Sequence, residues 1–415
     1  MKALSSFSRH FLLAHFTGII LVGCTSGSAI NNQNSFTGYF EDVTKTHLPA
    51  FPELHALDAA FGDIDADGDL DIVIAVENDV NRLYLNNGNG KFHWQENVFR
   101  RAKNDTEHIR LADFNNDGKL DVIFVAEDDQ TPEFYLGKGD GTFIDLSDEL
   151  PSKSEGNGLA AGDVNADGLP DILVANSGAK GQNFLWLNKK ENPGTFADFT
   201  SERLPQINDS SQDIKLADLD SDGDLDMIVA NEVPPNRLYI NEGKGIFIEK
   251  AEQLELLVPL HTRESIVFDA DSDGDQDILF ANLTSNGGQR DKDPQTRLLI
   301  NDGKGFFKDE SKVRMPANTF STYAANVIDF DQDGHLDILL SAILIPGFSP
   351  DNIRAYRNDG KGVFTDISKQ VIPEISRGRS WGICIGDVNN DGVQDAFIGG
   401  WGTQARLLIG KKVKK

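Results

Sequence analysis

The sequence has little positive charge, no sustained helical period and none of the common catalytic motifs. Its 39 lysines and arginines are outnumbered by 66 aspartates and glutamates, which gives a formal net charge of -27. This charge argues against nucleic acid as a partner, because the phosphate backbone has the same sign, and against polybasic binding to anionic lipid. No Gly-x-Ser-x-Gly elbow, P-loop or cysteine pair occurs, and the eight histidines show no metal-ligand spacing. We therefore expect no catalytic activity.

Residues 1–23 have the pattern of an export signal. Basic residues precede the apolar run FLLAHFTGIILVG at residues 11–23, which is too short to span a bilayer comfortably. The sequence LVGC at residues 21–24 resembles the lipobox of bacterial lipoproteins. This resemblance implies cleavage before Cys24 and acyl chains that anchor the exported protein in the bacterial envelope. The retention aspartate is absent after Cys24, which favours the outer membrane; the alternative is a chance cysteine behind an ordinary signal peptide.

Cysteine is scarce, because Cys384 is the only one besides Cys24. Once Cys24 is acylated, no intramolecular disulfide is available, so something else must stabilise the exported fold. Residues 24–36 are polar and predict a flexible tether. Residues 412–415 form a short basic tail.

An acidic nine-residue motif occurs seven times. The copies are DIDADGDLD from Asp63, DFNNDGKLD from Asp113, DVNADGLPD from Asp163, DLDSDGDLD from Asp218, DADSDGDQD from Asp269, DFDQDGHLD from Asp329 and DVNNDGVQD from Asp387. Their starts are 50, 50, 55, 51, 60 and 58 residues apart. A period of this size indicates a propeller or a solenoid.

Each unit continues with an apolar run, a polar loop, a strand that ends in a glycine-rich turn, and a Gly-x-Phe step. Short β-favouring runs between such turns predict about four strands per unit, the size of a propeller blade. The seventh unit lacks its Gly-x-Phe step, but Gly38-Tyr39-Phe40 supplies one at the other end of the chain. An open solenoid, the alternative, would need capping units. We predict an all-β fold, a closed seven-bladed β-propeller over residues 37–411, with four-stranded blades and an N-terminal outer strand that completes the last blade.

The acidic motif has the ligands of a calcium loop. Side-chain oxygens stand at positions 1, 3, 5 and 9, and glycine stands at position 6. Hard oxygen ligands suit Ca²⁺, the carbonyl of position 7 can add another, and glycine permits the sharp turn. An EF-hand is excluded, because position 12 is apolar in all seven copies and a strand-like run follows. Ordinary acidic turns are the remaining alternative.

These positions predict up to seven structural calcium ions. The predicted ligands are Asp63, Asp65, Asp67 and Asp71; Asp113, Asn115, Asp117 and Asp121; Asp163, Asn165, Asp167 and Asp171; Asp218, Asp220, Asp222 and Asp226; Asp269, Asp271, Asp273 and Asp277; Asp329, Asp331, Asp333 and Asp337; Asp387, Asn389, Asp391 and Asp395. Seven divalent ions would neutralise about 14 negative charges. At position 7 only a carbonyl is needed, so we expect the Asp69 side chain to point to solvent.

The repeated loop resembles that of the FG-GAP or VCBS repeats, whose propeller also forms the head of integrin α-subunits. The resemblance covers all seven units and implies that the calcium loop joins the first and second strands of each blade. The Phe-Gly element is clear only at Phe61-Gly62, and no Gly-Ala-Pro element is visible, which indicates a shorter bacterial form. No unit has an insertion long enough for an adhesion domain, so an integrin-like ligand mechanism is not implied.

The combined features predict a calcium-stabilised lipoprotein that acts as a binding or adhesion module for a protein or glycan ligand. The alternatives are a polysaccharide lyase, since some lyases resemble this family in fold, and a structural subunit of an envelope complex. Trp381 and Trp401 are candidates for stacking on a sugar, although packing is the alternative, whereas Trp186 is predicted to lie in the core. Loops 282–296 and 341–352 are longer than their counterparts and are candidates for a binding face.

Overall fold

The computed structural model describes residues 37–413 apart from 179–180, 234, 257–259, 285–292 and 345–348. The predicted export signal, the lipidation site Cys24 and the tether lie outside the described residues, as do the last two residues of the basic tail. Among the described residues, no helix has the length and apolar character that crossing a membrane requires.

The described residues form a ring of seven antiparallel blades, which confirms the predicted seven-bladed β-propeller. In each blade four strands pair in order, and we number them from the central channel outward. The first strands are Ala56–Gly62, Thr106–Ala112, Gly156–Gly162, Ser211–Ala217, Thr262–Phe268, Ala325–Ile328 and Ser380–Gly386. The second strands are Asp71–Val76, Asp121–Ala126, Asp171–Asn176, Asp226–Asn231, Asp277–Asn282, Asp337–Leu340 and Asp395–Gly400.

The outer half of each blade repeats in the same way. The third strands are Arg82–Asn86, Glu133–Gly137, Phe184–Asn188, Arg237–Asn241, Arg297–Asn301, Arg354–Asn358 and Arg406–Gly410. The fourth strands of blades 1 to 6 are Phe92–Gln95, Phe143–Asp145, Phe196–Asp198, Phe247–Glu249, Phe307–Asp309 and Phe364–Asp366. The fourth strand of blade 7 is Phe40–Asp42, in which Phe40 pairs with Gly410 and Asp42 with Leu408. Both ends of the chain therefore contribute to the last blade.

A few short elements lie outside this pattern. Leu254–Glu255 adds a parallel strand to the outer edge of blade 5, and Ile343–Leu344 pairs with Ser349–Pro350 beyond blade 6. Single helical turns follow the fourth strands at Thr44–His47, Ser147–Glu149, Thr200–Arg203, Ala251–Gln253, Ser311–Arg314 and Ser368–Val371, and a further turn is Glu374–Ser376. In blade 5 the Ser311 hydroxyl donates to Asp309 Oδ1 and accepts from the amide of Leu298 on the third strand, which fixes the start of the turn.

The hydrophobic cores lie between blades, because each second strand is buried on both faces. Along the second strand of blade 1, Ile72 and Ile74 pack toward blade 7, whereas Val73 and Ala75 pack toward blade 2. The same alternation produces seven cores, one between each pair of neighbouring blades. Each fully buried isoleucine or valine contributes about 1.5–3 kcal/mol, so a blade is stabilised chiefly by its neighbours.

The ring has two distinct ends. The first strands lead into the acidic loops, and the turns between third and fourth strands lie beside those loops; we call this the loop end. At the opposite end, the far end, the second strands finish and the first strands begin. Loops 282–296 and 341–352 both follow second strands, and their described ends therefore lie at the far end.

Candidate metal centres and the far end of the channel

Each acidic loop joins the first and second strands of its blade, as the sequence predicts. Position 1 closes the loop by accepting two backbone hydrogen bonds. In blade 4, Asp218 Oδ1 accepts from the amide of Asp222 at 3.2 Å, and Oδ2 accepts from that of Gly223 at 3.1 Å. The same pair of bonds occurs in all seven loops. These bonds hold the carboxylates of the loop in one orientation.

Position 4 has a left-handed backbone in every loop, although no copy has glycine there. The residues are Ala66, Asn116, Ala166, Ser221, Ser272, Gln332 and Asn390, with φ between 57° and 64°. Glycine at position 6 has φ between 83° and 100° in the seven copies. A non-glycine residue in the left-handed region is uncommon and strained. The sequence does not reveal this feature, because alanine and glutamine have no preference for that conformation.

Position 9 is buried and attached to two separate strands. In blade 5, Asp277 Oδ2 accepts from the amide of Ala270 at 2.9 Å, and Oδ1 accepts from that of Asn301 on the third strand at 2.8 Å. All seven position 9 aspartates make the equivalent pair of bonds, and none is more than 1% exposed. Because each carboxylate oxygen has two lone pairs, these bonds leave capacity for a cation.

Burial makes the charged form of these aspartates unfavourable. Burial raises the pKa of Asp277 from 3.8 to about 7. The two backbone hydrogen bonds lower this pKa, but burial has the larger effect. Burial is also the main reason why the pKa values of the other six position 9 aspartates are raised to between about 6 and about 8. A bound cation would favour the ionised carboxylate and reverse this preference.

The remaining acidic groups converge in the loops that have aspartate at position 3. Three carboxylates lie within 4.8 Å of one another in each of four loops. The groups are Asp63, Asp65 and Asp71; Asp218, Asp220 and Asp226; Asp269, Asp271 and Asp273; Asp329, Asp331 and Asp333. Asp65 Oδ1 and Asp271 Oδ1 are buried without a hydrogen-bond partner. Crowded carboxylates with unpaired buried oxygens fit a hard divalent cation, so several of these clusters could bind a metal ion.

Position 7 differs from the expectation for Asp69. Its amide donates to Asp67 Oδ1 at 3.0 Å, and the corresponding bond occurs in all seven loops. The Asp69 side chain is only partly exposed, because Asp69 Oδ1 accepts from Asn390 Nδ2 in the acidic loop of blade 7 at 2.7 Å. The expectation that it points to solvent is therefore confirmed only in part, since ring closure places a second acidic loop beside this partly exposed side chain.

Asparagines at the ends of five third strands connect neighbouring acidic loops at five of the seven blade boundaries. In blade 4, Asn241 Nδ2 donates to the carbonyl of Leu225 at 3.1 Å and to that of Val164, in the loop of blade 3, at 2.9 Å. The equivalent residues are Asn86, Asn188, Asn301 and Asn358. Each bridge crosses a blade boundary. The sequence shows the recurring asparagine but not its partner in the preceding blade.

The far end lacks sevenfold repetition and has an aromatic cluster. The rings of Tyr323 and Trp381 lie 3.5 Å apart between centroids, and Trp381 stacks on Trp401 at 5.6 Å. His55 lies 5.0 Å from Trp401, whose indole Nε1 donates to Glu77 Oε2 at 2.6 Å. Trp381 is 9% exposed, and Trp401 is partly exposed. By contrast, Trp186 is buried in the core, as predicted.

Below this cluster, partly buried charged side chains link the first strands of neighbouring blades. Asp58 of blade 1 accepts from Arg110 of blade 2 at 2.9 Å, and Lys215 of blade 4 pairs with Asp213 on its own strand at 2.9 Å and with Glu264 of blade 5 at 3.6 Å. Glu264 Oε2 accepts from the amide of Ala325 in the next blade at 2.9 Å. The cavity among these side chains has room for about one or two water molecules, so this cavity does not admit a sugar ring.

A closed ring of seven blades with an acidic loop between the first and second strands of each blade defines a repeat-built β-propeller with candidate metal loops. The FG-GAP-like repeat model matches residues 63–124, 113–174, 163–229, 218–280, 269–340 and 342–398. The chain belongs to the FG-GAP-like repeat family. The first five matches each extend from one acidic loop through the second strand that follows the next loop.

Two kinds of known proteins resemble the chain. Cartilage acidic protein 1 of Xenopus tropicalis is 29% identical over 195 residues, and that of Homo sapiens is 28% identical over 191 residues. Each match covers 45% of this chain and 28% of the relative, so the chain spans less than a third of these proteins. Crystal structures of BBS1N in complex with ARL6DN, soaked with mercury and with lead, contain chains with TM-scores of 0.52 and 0.55 at 9% and 10% identity. They cover 88% and 91% of this chain and 98% and 99% of their own, and show the shared fold.

Proposed function

We propose that the protein is a calcium-stabilised propeller that binds a protein or glycan ligand at its far end and performs no catalysis of its own. The observation that carries this proposal is the difference between the two ends. The loop end repeats one acidic motif seven times, as expected of a structural device. The far end has features that do not repeat, namely the aromatic cluster and the described ends of the two longest loops after second strands.

The acidic loops support calcium as the ion. Their oxygens come from aspartates, asparagines and backbone carbonyls, and Ca²⁺ accepts six to eight such ligands in flexible geometry. Mg²⁺ would demand a stricter octahedral arrangement. Each ion would tie the first strand to the second and, through position 9, to the third. In this proposal calcium is structural and takes no part in a reaction.

The size of the cavity near the aromatic cluster supports binding without catalysis. Groups that could transfer protons, such as the partly buried His108 and the buried Tyr323, line this cavity, which has room only for water. A polysaccharide could therefore contact the rim of the far end but not these groups. The protein is incubated with a polysaccharide that it binds. If the polysaccharide becomes shorter or gains unsaturated sugar ends, the proposal is wrong and a lyase is favoured.

Trp401→Ala is expected to weaken ligand binding roughly tenfold or more, because tryptophan is enriched among the residues that carry most of the binding energy at interfaces. The ligand is first found by screening the protein against glycan arrays and envelope proteins in calcium. The dissociation constant of this ligand is then measured by calorimetry for the wild type and for Trp401→Ala. The melting temperature of the variant is recorded to show that it remains folded.

Phe306→Ala is the matched control, because Phe306 is 51% exposed and lies in a turn at the loop end. We expect this variant to bind like the wild type. If Phe306→Ala weakens binding while Trp401→Ala does not, the ligand site lies at the loop end and the proposal is wrong.

We further propose that the protein is exported and anchored in the outer membrane through lipid on Cys24. Two features of the N-terminal sequence support this, the apolar run and the cysteine that directly follows it. Cys24→Ser is expected to abolish labelling by radioactive palmitate and to release the protein from the membrane fraction. If the variant remains in the membrane fraction to the same extent as the wild type, Cys24 is not the anchor.

A further inference from the structure

Three carboxylates from blade 2 meet at the far end, away from the acidic loops. Asp105 precedes the first strand of the blade, Glu107 lies on that strand, and Glu127 follows the second strand. One carboxylate oxygen from each lies within 4.8 Å of the others. None belongs to the repeated nine-residue motif. The position of Glu127 is also glutamate in blades 1 and 4, but no other blade has carboxylates at all three corresponding positions.

The hydrogen bonds of this triad are incomplete. Asp105 is 8% exposed, and its Oδ1 is buried without a hydrogen-bond partner. Glu107 Oε2 pairs with Arg263 Nη2 at 2.8 Å, and Glu127 Oε1 accepts from Asn157 Nδ2 at 2.9 Å and from Ser177 Oγ at 3.1 Å. The partners of Glu107 and Glu127 hold two of the carboxylates in place and leave the buried oxygen of Asp105 unpaired.

The surrounding charge adds to this imbalance. Glu77 lies close by, but His55 and Trp401 already occupy one of its carboxylate oxygens. The backbone amide of Asp105 donates to Asp129 Oδ2 at 2.8 Å, which places a further carboxylate next to the triad. A buried carboxylate without a partner is costly, and three carboxylates with one arginine leave an excess of negative charge that a divalent cation can offset.

We propose that Asp105, Glu107 and Glu127 bind one hard divalent cation at the far end of the channel. Carboxylate oxygens are the ligands that Ca²⁺ and Mg²⁺ prefer, and water can complete the coordination. Glu127 is only partly buried, so the ion can exchange with solvent. This site is separate from the acidic loops and does not depend on the proposed ligand binding.

The test counts bound ions in the full protein and in Asp105→Asn. Both proteins are dialysed at pH 8 against calcium, or against magnesium in a second arm, and bound metal is measured by mass spectrometry. We expect the variant to bind about one ion fewer per chain in at least one arm, because asparagine removes one charge and replaces one oxygen by nitrogen. An unchanged count in both arms would overturn the proposal.

Two further variants make the count specific. Glu155→Gln removes a charge at the same end outside the triad, and we expect the count to stay that of the wild type. Asp222→Ala changes position 5, which is aspartate in all seven acidic loops, and combining it with Asp105→Asn should lower the count by the sum of the two single losses. If Glu155→Gln lowers the count as much as Asp105→Asn does, general attraction by negative charge explains the binding, and the proposed site is rejected.

A thermal measurement separates a metal site from a merely structural carboxylate. In chelator, Asp105→Asn should melt a few degrees above the wild type, because the change removes an unpaired buried charge. In saturating metal this advantage should disappear or reverse, because only the wild type keeps the ion. If Asp105→Asn fails to fold, Glu127→Gln replaces it, and saturating metal should raise the melting temperature of the wild type more than that of this variant. A shift of equal sign and size in both conditions would show that no ion binds at the triad.

Discussion

Chelation of calcium is expected to lower the melting temperature of the purified protein by on the order of 10 °C or more. A ligand that binds only the folded state contributes about 2.7 kcal/mol per site at a hundred times its dissociation constant, and the chain has seven candidate loops. Without ions, the clustered aspartates of each loop repel one another. Calorimetry in calcium and in excess chelator measures the effect, and added calcium should restore the original transition.

The stability of the protein in excess chelator is expected to depend on pH, and this dependence provides a control. Burial raises the pKa of Asp71, Asp277 and Asp395 from 3.8 to about 7. Between about pH 4 and pH 7 the folded state therefore binds more protons than the unfolded chain, and its stability falls as the pH rises through this window. In chelator we expect a lower melting temperature at pH 8 than at pH 5.5. Equal melting temperatures with and without calcium at pH 8 would contradict the metal assignment.

Asp277→Ala is expected to destabilise the protein by about 3–5 kcal/mol. The change leaves the buried amides of Ala270 and Asn301 without their acceptor, and each unsatisfied buried group costs about 1–3 kcal/mol. It also separates the acidic loop from the third strand of the blade. Denaturant unfolding in chelator measures this loss without any contribution from bound calcium, so the structural role of position 9 can be assessed alone.

Asp275→Ala is the matched control in the same loop. Asp275 is at position 7, where the structure uses its amide to donate to Asp273 Oδ1 at 3.1 Å, and alanine retains that amide. We expect a change within about 0.5 kcal/mol, as for ordinary surface substitutions. If the two variants lose the same amount of stability, position 9 is not the attachment point between strands.

Much of the fold follows from local sequence because a propeller repeats one short unit. The motif that starts at Asp63 gives the repeat count, and the apolar run after Asp71 predicts a strand buried on both faces. The glycine at position 6 predicts a sharp turn. Each of these conclusions depends on residues only a few positions apart, whose relative placement is set by the local backbone conformation. The membership of the FG-GAP-like repeat family confirms the expectation drawn from the same motif.

The contacts that surround the candidate sites join residues far apart in the sequence, so no local sequence pattern predicts them. Asn358 reaches the carbonyl of Ala270, 88 residues earlier, and Glu107 pairs with Arg263, 156 residues later. The sequence singled out Trp381 and Trp401, but it did not reveal that they stack together or that Tyr323 joins them. These contacts form only when the closed ring brings separate blades to one channel.

The sequence by itself determined the number of blades, the acidic loops and the position of each buried second strand, because these features are repeated and short in range. Only the tertiary structure decided which carboxylates are held by two strands, which asparagines bridge neighbouring loops, and which end of the ring departs from repetition. The physical reason is that side-chain direction in a strand alternates locally, whereas the partner that a side chain meets depends on how the ring is assembled.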